Sequence, residues 1–207
     1  RTLANKLLKN PESISLAISK PAEGITQSAY MCHDSQKVNL VREILRAKGK
    51  DLSHVLIFAS SIKSVKEIKT TLNKAGMKAS EMHSGLDQDQ REETIRDFKS
   101  KKIRILVATD ILSRGIDIKG IEIVINYEVP HDEEDYVHRI GRTARADRTG
   151  EAITFINPKQ VKNFKDIEKL IEKEVPKLEL PKGFSKAPEY IIQSKNKKNK
   201  KWRNFKK

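Results

Sequence analysis

From Ile25 to Ile171 the chain alternates short, almost unbroken apolar runs with segments whose apolar residues recur every three or four positions. Residues 25–32, 54–59 (HVLIFA), 78–83, 103–108 (IRILVA), 121–125 (IEIVI) and 152–156 read as strands. Between them, Val38, Val41, Ile44 and Leu45 mark one helical face, and Ile62, Val65, Ile68 and Leu72 mark a second. Residues 88–99 form a third helix with Ile95 and Phe98 inward. Val161, Phe164, Ile167, Leu170 and Ile171 form a last one, ended by Pro176 and Pro181. Strands that are apolar on both faces and separated by helices require a parallel sheet covered on each side, because every crossover must lie against the sheet. The pattern therefore predicts an α/β fold of three layers. In such sheets ligands bind in the loops beyond the carboxyl ends of the strands. Ser60-Ser61, His83-Ser84-Gly85, Thr109-Asp110 and residues 126–130 should then open along one edge.

The flanks read differently. In residues 1–24 a short helix (Leu3, Leu7, Leu8) is stopped by Asn10-Pro11 and followed by an extended stretch punctuated by Pro21 and Gly24. This segment supplies no core and is expected to be a linker, or the end of a preceding domain. Residues 25–181 form the expected domain and residues 182–207 a tail. The chain carries 42 Lys+Arg against 28 Asp+Glu, a formal charge of +14. The tail has ten basic residues and one acidic, so most of the excess lies there. Such a tail attracts nucleic acid or anionic membrane, and equally serves as a solubilising end. No apolar run approaches the ~18 residues of a membrane-spanning helix, so no membrane partner is expected. A single cysteine, Cys32, excludes an intramolecular disulfide and points to a reducing compartment, here expected to be the cytoplasm. The chain starts at Arg1 without Met or signal peptide, as expected of a piece of a longer polypeptide.

Small hydroxyls, glycine and amides in the four edge loops suit phosphate, since backbone N–H groups near helix starts favour anions. Ser, Thr and Asp there are equally ordinary helix caps. Arg139, Arg142, Arg145 and Arg148 recur every third residue in YVHRIGRTARADR. A forked, permanently charged guanidinium matches phosphate geometry, although the spacing alone also describes a solvated basic face. Three features argue against a metal site or a phosphate-cradling G-x-x-x-x-G-K-[ST] loop within this chain. Asp132-Glu133-Glu134-Asp135 follows Val129-Pro130 and opens a helix, where carboxylates complement the dipole. Gly49-Lys50 lacks the rest of a G-x-x-x-x-G-K-[ST] loop. His33, His54, His83, His131 and Cys32 have no zinc-ligand spacing, so no metal site is expected.

HVLIFASS, HSGLDQDQREETIRDFK, ILVATDILSRGIDI, VINYEVP and YVHRIGRTAR occur in one order over residues 25–157, and together they resemble the C-terminal RecA-like lobe of DEAD-box RNA helicases. The leading segment resembles that family's inter-lobe linker, and with the basic tail it is similar to bacterial RhlE-like members. The resemblance implies ATP with Mg2+, held mainly by an N-terminal lobe in cis, and RNA as single strand or short duplex, bound without regard to sequence. It implies that Arg142 and Arg145 reach the γ-phosphate and that His138 contacts the partner lobe's catalytic loops, with a purely structural hydrogen bond as its alternative. Arg139 would brace the motif internally. Asp117 would accept from the ribose, Arg114 would join the nucleotide and RNA sites, and Gly115 would allow the turn between them. Thr109 and Arg91 would contact RNA phosphate, with Gln88 orienting Arg91 from one turn away, and Gly85 and Ser61 would add contacts to the strand. A cap remains the alternative for Thr109. Ala144 stands where many members have glycine, which bears on Arg145 more than on Arg142.

In the tail, Lys198, Lys201, Trp202 and Arg203 combine cations with an aromatic, which suits stacking on bases beside the backbone. The tail is expected to be disordered when free; for Tyr190, Ile191 and Ile192, packing back on the domain is an equal alternative. The implied function is one lobe of an ATP-dependent RNA helicase whose isolated form lacks ATPase activity. A non-catalytic RNA-binding or assembly module and a DNA translocase lobe are the alternatives. Ribosome-assembly or RNA-degradation partners remain unidentified at this level.

Overall fold

A computed structural model of the chain describes residues 24–49, 52, 54–110, 118, 120–143 and 149–191. The elements are β1 (Ile25–Met31), α1 (Asp34–Ala47), β2 (Val55–Phe58), α2 (Ile62–Lys74), β3 (Ala79–Met82), α3 (Gln88–Lys99), β4 (Ile105–Ala108), β5 (Ile123–Asn126), α4 (Glu133–Ile140), β6 (Gly150–Ile156), α5 (Val161–Leu170) and β7 (Lys177–Leu178). The strands form one sheet in the order β3-β4-β2-β5-β6-β1-β7, and every pairing is parallel. The expected α/β class and parallel sheet are thus what the chain adopts.

Alternation along the strands splits the core into two faces. Val55 and Ile57 of β2 pack with Leu40, Val41, Ile44, Val65, Ile68 and Leu72, so α1 and α2 cover one side. Leu56 and Phe58 of the same strand point the other way, against Phe98 of α3 with Ile118 and Ile121. Ala29, Met31, Ala152 and Ile156 complete that second face under Tyr136, Ile140, Phe164 and Ile167 of α4 and α5. Burial of strand residues on both faces is why these strands read as continuous apolar runs.

The chain departs from expectation at its end. The final helix stops at Leu170, and Lys177–Leu178 add a short edge strand beside Ala29–Tyr30. Pro176 has no N–H to donate, but its carbonyl accepts from Ala29 N–H at 2.8 Å. A two-residue strand has no periodicity to betray it. Residues 182–191, expected as the start of the tail, instead lie against the domain. Leu180 and Phe184 pack on the α1/α2 face, Ala187 and Tyr190 on the other. The amide of Gln36 donates to the Ser185 carbonyl and hydroxyl at 2.9 and 2.8 Å, and Tyr190 OH donates to Glu168 at 2.8 Å. These apolar anchors outweigh the segment's charge. Residues 1–23 and 192–207, which hold the expected linker and most of the tail, lie outside the described residues.

Cys32, at the end of β1, is fully buried, and burial pushes its thiol up to about 12. At neutral pH it stays protonated, and the thiolate is the reactive species. Native protein should therefore resist Ellman's reagent, releasing one thiol equivalent per chain only on unfolding in urea.

Candidate functional site

Strand register sets the site. Met82, Ala108, Phe58 and Asn126 end four neighbouring strands at the same level, since Met82 pairs with Ala108, Ala108 with Phe58, and Phe58 with Asn126. The loops carrying Gly85, Thr109, Ser61 and Glu128 consequently leave the sheet side by side, as the strand pattern predicted.

Within the row, local chemistry fixes each residue. Ser61 is the N-cap of α2, its hydroxyl accepting from Ser64 N–H at 3.1 Å, so the ordinary capping role is present here. Gly85 donates its N–H to His83 Nδ1 at 3.2 Å, and a Cβ at position 85 would press on the same ring at 3.2–3.3 Å. Asp87 caps α3 in a reciprocal box with Gln90. From this helix Arg91 reaches back, Nη2 donating to the Ser84 carbonyl at 3.1 Å. Gln88 does not orient Arg91 as expected; its amide donates to Glu92 at 2.7 Å. The carboxylate four residues on is the better acceptor on that face. Thr109 is held by its N–H to Met82 O at 3.1 Å, and its buried hydroxyl has no hydrogen-bond partner among the described residues. A buried hydroxyl without a partner at a loop edge is a place where a ligand oxygen can bind.

The arginine helix α4 is capped by Asp132, which accepts from Glu134 N–H at 2.9 Å, and its first turn carries Glu133, Glu134 and Asp135. The acidic box is thus a helix start, with the carboxylates at the favourable dipole end. Arg139 is 4 % exposed and makes a bidentate pair with Asp110, at 2.7 and 2.6 Å. It also donates to Asn126 Oδ1 at 3.3 Å and lies 5.2 Å from the Phe58 ring centre. This is the internal brace expected of it. Asn126 in turn donates to Thr154 at 3.2 Å, and Tyr136 OH donates to Gln27 at 2.8 Å, so the polar layer under the helix is satisfied. Burial pushes the Tyr136 phenol up, keeping it a neutral donor.

His138 is exposed on α4 and Arg142 partly buried just beyond it. Gly141 permits the turn between helix and arginine, since a Cβ there would come within 3.0 Å of the Val137 carbonyl. On the other side of Arg142, the Thr143 hydroxyl is shared between the Ile121 and Glu122 carbonyls at 2.8 and 3.0 Å. Gly150 makes room for it: a Cβ there would meet Thr143 Oγ1 at 2.2 Å. Arg142 is thereby held between two anchors, Arg139 and Thr143. Thr143 and Gly150 were not singled out from sequence, and Asp110 was named only as part of an edge loop, because nothing in their spacing announces partners 7 to 29 residues away. Arg114, Gly115, Asp117, Ala144, Arg145, Lys198, Lys201, Trp202 and Arg203 lie outside the described residues.

The family model for the helicase conserved C-terminal domain matches residues 36–147. DEAD-box ATP-dependent RNA helicase CshA of Geobacillus kaustophilus is 33 % identical over 182 residues, covering 87 % of this chain and 38 % of that protein. The chain thus spans about two fifths of the length of curated relatives such as this one. Among solved structures, a DEAD box protein from Methanococcus jannaschii superposes with a TM-score of 0.70 at 40 % identity, covering 75 % of this chain and 42 % of that one. Dbp5 of S. cerevisiae bound to RNA and ADP BeF3 superposes with a TM-score of 0.73 at 27 % identity, covering 86 % and 47 %. The all-parallel sheet covered by helices is that of a RecA-like lobe, and the chain belongs to the helicase conserved C-terminal domain family, with DEAD-box RNA helicases as its relatives.

Proposed function

We propose that this chain is the second lobe of an ATP-dependent RNA helicase. With an N-terminal lobe supplied by the same polypeptide, it binds ATP and single-stranded RNA across a cleft, and closure of the lobes separates a short duplex. The observation that carries this is the single sheet edge on which Ser61, Gly85, Arg91 and Thr109 stand in a row beside the helix that delivers Arg142. The Thr109 hydroxyl, without a partner among the described residues, and the Gly85 turn suit backbone phosphate and 2′-hydroxyl contacts, which are indifferent to base sequence.

The residues at the end of α4 also fit a nucleotide's phosphates as donors. Asp110 neutralises Arg139 inside the domain, whereas Arg142 follows the glycine turn and extends from an anchored backbone. When bound, ATP supplies the phosphoryl group transferred to water. Arg142 and Arg145 would meet charge on the transferring oxygens. His138 would pass lobe closure to this helix. Asp117, Arg114 and Gly115 would hold the ribose side, while Mg2+ falls to the N-terminal lobe. Since these 207 residues contain no phosphate-cradling G-x-x-x-x-G-K-[ST] loop, the lobe alone should not hydrolyse ATP. The linker-like start and basic tail support an RhlE-like bacterial member, cytoplasmic, with Lys198, Lys201, Trp202 and Arg203 gripping RNA outside the cleft.

In the full-length protein, single-stranded RNA should stimulate ATP hydrolysis and DNA of the same sequence should not. Equal stimulation by DNA would transfer the assignment to a DNA translocase. RNA affinity indifferent to nucleotide would leave a non-catalytic binding module.

A further inference from the structure

The turn after β5, inside the VINYEVP stretch, holds a carboxylate that none of the roles given above uses. Glu128, two residues beyond the strand, accepts from the backbone N–H of Ser60 at 3.0 Å. Ser60 sits in the β2–α2 loop, between the last ladder bond, Ala59 N–H to Ala108 O at 2.9 Å, and the α2 cap at Ser61. The bond is therefore placed where the backbone leaves the sheet and before it is caught by the helix. On its other side Glu128 faces Lys37 of α1, a lysine only 1 % exposed that pairs with Asp34 at 2.8 Å and lies 5.6 Å from the Tyr127 ring centre. Burial pushes the Glu128 carboxyl up, while Lys37, the hydrogen bonding of Ser60 and Arg139 pull it back toward the charged form.

The neighbouring residue shows what such a carboxylate joins. Asn126, which ends β5, accepts from Arg139, and Arg139 also covers the ring of Phe58 at the end of β2. Tyr127 N–H donates to Phe58 O at 2.9 Å. Strands β2 and β5 are thus stitched at one level by the arginine helix, and one step further out by Glu128 and Ser60.

We infer that Glu128 is a positioning residue: through the Ser60 N–H it holds the β2–α2 loop, with Ser61 in it, in register with the Arg139–Arg142 helix, and so couples RNA binding to the nucleotide end of the lobe. The inference rests on the helicase function proposed above. A charge-assisted bond to a backbone N–H fixes a loop more firmly than a neutral one. A loop released from the helix can still meet RNA, but it no longer reports its position to Arg142.

The test uses the full-length protein, a single-stranded oligoribonucleotide and a non-hydrolysable ATP analogue. The ratio of RNA Kd without and with the analogue measures coupling. Glu128→Ala should reduce that ratio about tenfold, within the ordinary range of coupling between sites. Glu128→Met, which keeps the volume but has no acceptor, should do the same and replaces the alanine variant if that one does not fold. Glu128→Gln retains an amide oxygen for Ser60 N–H and should stay within about threefold of wild type. A wild-type ratio in folded Glu128→Ala or Glu128→Met overturns the proposal. Equal loss of RNA affinity with and without the analogue also overturns it, since a merely structural residue behaves so. A wild-type protein whose RNA affinity ignores the analogue overturns the helicase reading itself, and the coupling role with it.

Discussion

Arg142→Ala in the full-length protein should reduce RNA-stimulated ATP turnover by about 10³-fold or more, the scale on which removal of an arginine finger is felt. RNA binding without nucleotide and the urea midpoint should change little. The reason lies in how the residue is held. Its backbone N–H donates to the Arg139 carbonyl at 3.1 Å, a bond that alanine keeps, and the packing around it is carried by Ile140 and Thr143, which are buried on either side. Arg142→Lys should recover only a small part of the activity, because an ammonium keeps the charge but loses the forked geometry that matches phosphoryl oxygens. Single-turnover ATP hydrolysis with saturating RNA is the measurement. Turnover near the wild-type rate in a folded alanine variant would remove Arg142 from the mechanism.

The brace behind Arg142 should dominate stability instead. In the Arg139–Asp110 pair the arginine side chain is 4 % exposed and the carboxylate 44 %. Removing the partner that stays buried and removing the one that reaches water are therefore different experiments. Asp110→Ala strands a guanidinium beneath α4 and should cost about 3 kcal/mol, the lower end for breaking a buried pair. Arg139→Met keeps an apolar stem against Phe58 and returns Asp110 to solvent, so it should cost less, about 1–2 kcal/mol. Combining the two should cost no more than Asp110→Ala alone, because the uncompensated charge is gone. Urea unfolding of the three variants decides it, and additive losses would show that the pair does not act as one unit. Both single variants should also lower ATP turnover, since Arg142 departs from the same helix end.

The helix caps and the two anchors of Arg142 differ in how far they could be read in advance. Asp132, Asp87 and Ser61 cap their helices through N–H groups two or three residues on, so local sequence contains the whole interaction. Asp110 and Thr143 meet their partners only because the fold brings the residue after β4 to α4, and the segment before β5 to the turn that follows α4. Gln88 shows the limit even within a helix. Spacing placed it beside Arg91, but the choice between Arg91 and Glu92 depends on side-chain chemistry and on the Ser84 carbonyl that draws Arg91 away.

The order of apolar and polar residues is enough to specify the class of fold and the edge on which chemistry must occur. Continuous apolar strands can only be buried on both faces, and parallel connection then places every following loop at the same end. The motif resemblance added the family. Contacts in three dimensions settle that Asp110 is the partner of Arg139, that Glu128 is tied to Ser60, and that Phe184, Ala187 and Tyr190 pack on the domain. Each of these depends on contacts across the sheet, between residues tens to more than a hundred positions apart, and a linear pattern carries period and polarity but not the distance at which a charge finds its partner.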